Sequence, residues 1–153
     1  MARTEDIPQP TRDAILALAM PELPGQPWVT PKPLRQSRIA LLTSAALHRR
    51  SEMPFPAGSA EFRALPATLP AAEMVMSHIS INYDRGGFQR DINVAYPIDR
   101  LAELAADGTI GSVAPTHYSV MGSTDPTTMA ESADGIASHL KQEGVDAILL
   151  APV

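Results

Sequence analysis

The last third of the chain constrains the fold most, because it sets a strand, a helix and a second apolar strand in close succession. The spacing predicts a strand over residues 117–121 and a helix that begins at Asp125-Pro126 and ends at Gly144. Residues 146–153 are almost wholly apolar, which predicts a fully buried parallel strand. Strand, helix and strand at this spacing predict an α/β fold with a mainly parallel sheet flanked by helices, Rossmann-like in type. No covering helix follows the last strand in these 153 residues, so we expect this fold to be incomplete.

Upstream, the pattern divides the chain into a proline-rich N-terminal arm, residues 1–37, and the α/β domain, residues 38–153. The arm holds a short helix over residues 11–20 and then an extended stretch anchored by Trp28, which lies on its own domain or reaches over a neighbouring subunit. In the domain, residues 38–44 and 73–80 read as strands, and residues 51–70 and 82–87 as loops. A further helix begins at Pro97 and ends at Gly108.

Composition excludes several function classes. The sequence has no cysteine, so these residues form no disulfide, no thiolate metal site and no cysteine nucleophile, which fits a reducing compartment. A net charge of −5 and the lack of a basic patch argue against nucleic acid or an anionic membrane as a partner. With neither a membrane-length apolar run nor a basic-then-apolar leader, the sequence indicates a cytoplasmic protein.

The candidate site residues are polar groups placed at strand ends and in loops. His117 begins a strand and His78 lies on a Met-lined strand face, where a hydrogen-bonded core histidine is the equal alternative. A set of this kind could bind a small zwitterion, transfer protons or ligate a metal. The sequence has neither a metal-ligand spacing such as His-x-x-x-His nor the Gly-x-Gly-x-x-Gly motif of dinucleotide sites. We therefore expect neither a metal site nor a bound cofactor. The full set is His78 and His117 as catalytic candidates and Asp84, Asp91 and Asn93 as substrate-binding candidates.

Residues 43–48 lie at the carboxyl end of the first strand, where ligands bind in open α/β sheets. Of the two remaining histidines, His48 is expected in a surface loop, with a place in the site as the alternative. His139 is expected on the solvated side of the last helix.

The same polar stretches carry a family resemblance. They read Ser77-His78, Tyr83-Asp84, Asp91-Ile-Asn-Val-Ala-Tyr-Pro-Ile-Asp-Arg-Leu-Ala-Glu-Leu104, Gly108-Thr-Ile-Gly-Ser112, His117-Tyr-Ser-Val-Met-Gly122 and Glu143-Gly-Val-Asp-Ala-Ile-Leu-Leu-Ala-Pro-Val153. In this order they resemble the selenoprotein B component of glycine/sarcosine/betaine reductase, to which the D-proline reductase selenoprotein subunit is related. The resemblance covers residues 38–153.

The resemblance implies the reductive cleavage of a C–N bond in a small amine such as glycine, sarcosine, betaine or proline. It implies a partner subunit whose pyruvoyl group binds the amine, and a selenolate or thiolate that attacks the carbon and releases the amine. In the family this nucleophile directly follows the equivalent of Ala151-Pro152-Val153. We therefore expect that the sequence is the N-terminal part of a longer member, read as ending at a UGA selenocysteine codon. The alternatives are a processed chain, a deliberately shortened chain and a natural short homologue.

Without that nucleophile the 153 residues hold no two-electron couple, because histidines and carboxylates supply none. Two other functions stay open: a non-catalytic binding or assembly subunit, or a small acid–base enzyme that uses His78 or His117. The expected partners are a small-molecule amine and either a protein partner subunit or a second copy of the chain.

Overall fold

The computed structural model describes residues 4–17, 22, 25, 29–80 and 85–153. In this part of the chain the strands are β1 (Arg38–Thr43), β2 (Leu47–Arg49), β3 (Phe62–Pro66), β4 (Met74–Met76), β5 (Ser112–Val113), β6 (Thr116–Val120) and β7 (Ala147–Ala151). The α-helices are α1 (Gln9–Leu16), α2 (Arg85–Arg90), α3 (Ile98–Ala106) and α4 (Ala130–Gln142). The short helix predicted over residues 11–20 is present as α1, which begins two residues earlier and ends at Leu16. Residues 18–20 and Trp28 lie outside the described residues.

β1 is the centre of the main sheet. It pairs in parallel with β7 on one side and with β5 and β6 on the other, and β3 adds to β6 in antiparallel orientation. Ala40 and Leu41 are fully buried because β1 has neighbours on both edges and cover on both faces. The predicted α/β fold with a mainly parallel sheet is confirmed.

Helices cover the two faces of this sheet. α3 begins directly after Pro97, buries Leu101 in the core with Ile39 and Leu41, and ends before Gly108, whose φ of +79° is the left-handed geometry of a helix stop. α4 lies on the opposite face, where Ile136 packs against Tyr118 and Val120. None of the described helices is long and apolar enough to cross a bilayer.

Three local predictions were wrong. The segment 51–70 is not all loop, because Phe62–Pro66 forms the edge strand β3; Phe62 itself packs against the ring of Tyr118, at 5.9 Å between centroids. His48 is not in a surface loop but in β2, which pairs with β4 in a separate two-stranded sheet and leaves His48 only 2% exposed. The predicted turn at 82–87 is helical from Arg85 onward, because Phe88 packs against the core and holds that turn of helix.

The last strand is parallel as predicted but not fully buried. Within the described residues β7 pairs only with β1, so it forms an edge of the main sheet. Leu149 and Leu150 are therefore 41% and 62% exposed.

Candidate functional site

The carboxyl ends of β1, β6 and β7 meet at Ser44, the residue after β1. The Ser44 hydroxyl accepts a hydrogen bond from the Val153 N–H at 2.8 Å and lies 3.4 Å from the Val153 carbonyl oxygen, to which it donates. The Ser44 carbonyl oxygen accepts from the Gly122 N–H at 2.9 Å. One residue thus joins three strand ends at the sheet edge where open α/β folds bind ligands.

His78 lies against this junction. A Cβ on Gly122 would stand 3.0 Å from His78 Nε2 and 2.8 Å from the Ser44 carbonyl oxygen, so the imidazole rests where only a glycine leaves room. His78 is 4% exposed, although it follows the short strand β4 rather than a strand of the main sheet.

The hydrogen bonding of His78 indicates which of its ring nitrogens carries the proton. Nδ1 accepts from the Ser80 N–H at 3.2 Å, which places the proton of the neutral ring on Nε2, the atom that faces Gly122. Burial lowers the pKa of His78, and the positive charge of Arg85 lowers it further. The Arg85 guanidinium donates to the His78 carbonyl oxygen and so stays beside it. At neutral pH His78 is therefore an uncharged ring with an N–H directed at the strand ends.

His117 lies deeper in the sheet. Ala114 and Pro115 separate β5 from β6, so the pairing of these strands with β1 is interrupted there. At this gap His117 Nδ1 accepts the Leu41 N–H of β1 at 3.0 Å. The ring is fully buried, with the Tyr96 ring 5.9 Å away in edge-to-face geometry. Burial lowers the pKa of His117 to about 4, against a smaller opposite effect of Glu143. The structure thus gives His117 a backbone-capping contact inside the sheet, away from the strand ends.

Asp91 and Asn93 form a capping network before α3. Asp91 Oδ1 accepts from the Asn93 N–H at 2.9 Å and from its Nδ2 at 2.8 Å, and these bonds lower the pKa of Asp91. Asn93 Oδ1 in turn accepts the Asp99 N–H in the first turn of α3 at 3.0 Å, while Nδ2 also donates to the Asp99 carboxylate. The structure therefore brings Asp91 and Asn93 together. Their hydrogen bonds are to each other and to the start of α3, and not to the junction at Ser44. Asp84, the last candidate, lies outside the described residues.

Among residues 4–17, 29–80 and 85–153 there is no group of three or more histidine, aspartate or glutamate side chains that could hold a metal ion. Ser44 and Gly122 were not among the site residues predicted from the sequence. Two signals pointed toward them: Ser44 is the last residue of the first predicted strand, and Gly122 ends the stretch that begins with His117.

Comparison with known proteins shows the family of the chain. Residues 67–153, more than half of the chain, match the family model described as glycine/sarcosine/betaine reductase selenoprotein B. The chain belongs to this selenoprotein B family. The matched segment includes His78, Gly122 and Val153, whereas Ser44 precedes it.

Two curated relatives extend the match. The chain is 37% identical over 136 residues to the D-proline reductase subunit gamma of Acetoanaerobium sticklandii, covering 86% of this chain and 55% of the relative. It is 35% identical over 69 residues to the glycine reductase complex component B subunit gamma of Carboxydothermus hydrogenoformans, covering 44% of this chain and 16% of the relative. The chain thus spans about half the length of the first relative. No solved structure matches it.

Proposed function

We propose that this selenoprotein B family chain is a component of a reductase that cleaves the C–N bond of a small amine of the glycine, sarcosine, betaine or proline type. The observation that carries the proposal is the meeting of Ser44, His78, Gly122 and Val153 at one sheet edge, in a family whose curated relatives are reductase components. We infer that it works in the cytoplasm with a partner subunit that binds the amine.

The redox nucleophile in this proposal lies outside residues 1–153, since they contain no cysteine. A selenolate or thiolate that follows Val153, as the family resemblance implies, would emerge at the junction of strand ends. It attacks the carbon that bears the nitrogen; a Se–C or S–C bond forms and the C–N bond breaks. The C–N electron pair leaves with the nitrogen, which takes up a proton, and a two-electron donor of the complex then reduces the adduct.

His78 is the catalytic group that we assign to residues 1–153. Its Nε2–H faces the junction and is positioned to donate a hydrogen bond to the leaving nitrogen as the C–N electron pair arrives there. We give supporting roles to the other candidates: His117 fixes the gap in the sheet, and Asp91 with Asn93 fixes the loop that leads into α3. Asp84 stays a candidate for substrate binding.

Two measurements test this proposal. The codons after that of Val153 should hold an in-frame UGA or a cysteine codon, followed by proline and a nearby cysteine; a UAA or UAG stop without a continuing frame contradicts the proposed nucleophile. In the assembled reductase, His78→Asn keeps an acceptor near the Nδ1 position and removes the Nε2 donor. We expect it to lower kcat about 100-fold. His139→Asn, on the exposed side of α4, is the matched control.

A non-catalytic assembly role is the second candidate. It is favoured by the exposed apolar edge of β7, where Leu149 and Leu150 offer an unprotected strand to another polypeptide. This role predicts that the complex requires the chain for assembly but keeps its turnover when His78 is replaced.

A further inference from the structure

We infer that Ser44 is a positioning residue, which fixes the end of β7 relative to His78. The position of Val153 beside Ser44 is inferred from hydrogen bonds alone. The effect on catalysis rests on the proposed function. Ser44 lies outside both the set of site residues predicted from the sequence and the segment 67–153 that matches the family model.

The hydrogen-bond ladder between β1 and β7 ends irregularly at Ser44. The Ser44 N–H still donates to the Ala151 carbonyl oxygen at 3.2 Å, as the last rung of the parallel pairing. In a regular parallel ladder the Ser44 carbonyl oxygen would then accept the Val153 N–H. Here that carbonyl turns to the other neighbour and accepts from Gly122, so the Val153 N–H would lose its partner. The Ser44 hydroxyl takes the place of the carbonyl as the acceptor.

At this end of β7, neither Pro152 nor the Thr43 hydroxyl bonds to Val153. Pro152 has no N–H, so it adds no hydrogen-bond donor between Ala151 and Val153. The neighbouring hydroxyl of Thr43 is engaged elsewhere, since it donates to the Ala95 carbonyl oxygen at 2.7 Å. Both backbone groups of Val153, the N–H and the carbonyl oxygen, are bonded to the Ser44 hydroxyl.

Ser44 is also connected to His78, through Gly122. The Ser44 carbonyl oxygen and His78 Nε2 both lie within 3.0 Å of the point where a Gly122 side chain would begin. Ser44 therefore holds Val153 through its hydroxyl and Gly122 through its carbonyl, while Gly122 supports the His78 ring. A reacting group delivered at the end of β7 is thereby kept at a fixed distance from the His78 Nε2–H.

The test compares the partly buried hydroxyl of Ser44 with the buried hydroxyl of Ser119. Ser44→Ala removes the acceptor of the Val153 N–H, whereas the control Ser119→Ala removes a hydroxyl that accepts the Leu47 N–H at 2.7 Å in β6. Hydrogen exchange at the Val153 amide is measured by NMR in the 153-residue chain. We expect Ser44→Ala to accelerate this exchange about tenfold, and Ser119→Ala to leave it unchanged. An unprotected Val153 amide in the wild type, or equal acceleration in both variants, would overturn the inference.

The same variants are then assayed in the assembled reductase. If Ser44 acts by positioning, Ser44→Ala lowers kcat about tenfold with little change in KM, and Ser119→Ala changes neither at a comparable Tm. Equal loss of kcat in the two variants would overturn the catalytic consequence. A wild-type complex that reduces no amine would instead refute the proposed function, while the exchange result still decides whether Ser44 holds Val153.

Discussion

Gly122→Ala is the substitution to which the proposed site is most sensitive. The added Cβ would lie 2.8 Å from the Ser44 carbonyl oxygen, 3.0 Å from Ser44 Cβ and 3.0 Å from His78 Nε2. The first of these is a backbone atom and cannot rotate away, because Ser44 is held through its N–H, hydroxyl and carbonyl oxygen. The methyl group therefore separates strand ends or displaces the His78 ring.

The magnitude follows from two opposing effects. Overpacking a close contact of this kind costs about 1–3 kcal/mol in the free energy of unfolding. Replacing glycine by alanine also lowers the entropy of the unfolded chain, which returns roughly 0.5–1 kcal/mol. We therefore expect a net destabilisation of about 1–2 kcal/mol, or a Tm lower by roughly 2–8 °C for a chain of this size.

The assay is urea unfolding followed by circular dichroism, with Gly135→Ala as the control. Gly135 lies inside α4, and its Cβ would meet the Phe62 ring at 3.1 Å, a side chain that can shift. Because alanine is the better helix former by about 1 kcal/mol, Gly135→Ala should be neutral or stabilising. If Gly122→Ala unfolds at the wild-type midpoint and leaves the His78 ring resonances unshifted, the close packing at the junction is refuted.

Three further perturbations test other parts of the account. Because the pKa of His117 is lowered in the folded state, the unfolded state takes up a proton first as the pH drops. The free energy of unfolding should therefore fall between pH 6.5 and pH 4, by up to about 1.4 kcal/mol per pH unit. The urea midpoint of His117→Asn should depend less on pH over this range, and parallel curves for the variant and the wild type would contradict the lowered pKa. Asn93→Ala removes the cap of α3 and should cost about 1 kcal/mol while the pKa of Asp91, followed by NMR, rises toward its ordinary value; an unmoved pKa would contradict the network. Leu150→Lys should leave the Tm within about 2 °C of the wild type, because this side chain is largely exposed at the edge of the sheet. The added charge should weaken concentration-dependent association in sedimentation experiments. Association that persists unchanged would exclude the β7 edge as its cause.

The sequence was informative where apolar runs are continuous. β1, β6 and the helices α3 and α4 lie where periodicity and the proline and glycine stops predicted them. The burial of β7 could not be predicted from its composition, because exposure depends on which strands stand beside it. β3 was missed since prolines and turn residues surround its five residues, and antiparallel pairing with β6 stabilises it.

The candidate site was less predictable, because its residues are far apart along the chain. Asp91 and Asn93 carry a local signal, since short polar side chains before a proline-started helix commonly cap backbone groups. The contact between Ser44 and Val153 joins residues 109 positions apart, and no local pattern encodes it. From the sequence, Gly122 could be recognised only as the residue that ends a strand. Its lack of a side chain is required because His78 and Ser44 both lie close to its Cα.

The most direct test of the central claim is amine cleavage by the complex assembled with this chain and its proposed continuation beyond Val153, which carries the selenolate or thiolate. The complex would receive ¹⁵N-labelled glycine, sarcosine, betaine or D-proline and a dithiol reductant, and mass spectrometry would record products in which the C–N bond is broken. We predict that at least one of these amines is cleaved only when the chain is included, and about 100-fold more slowly with His78→Asn than with His139→Asn. Cleavage that proceeds without the chain, or equally well with both variants, would contradict the proposed function.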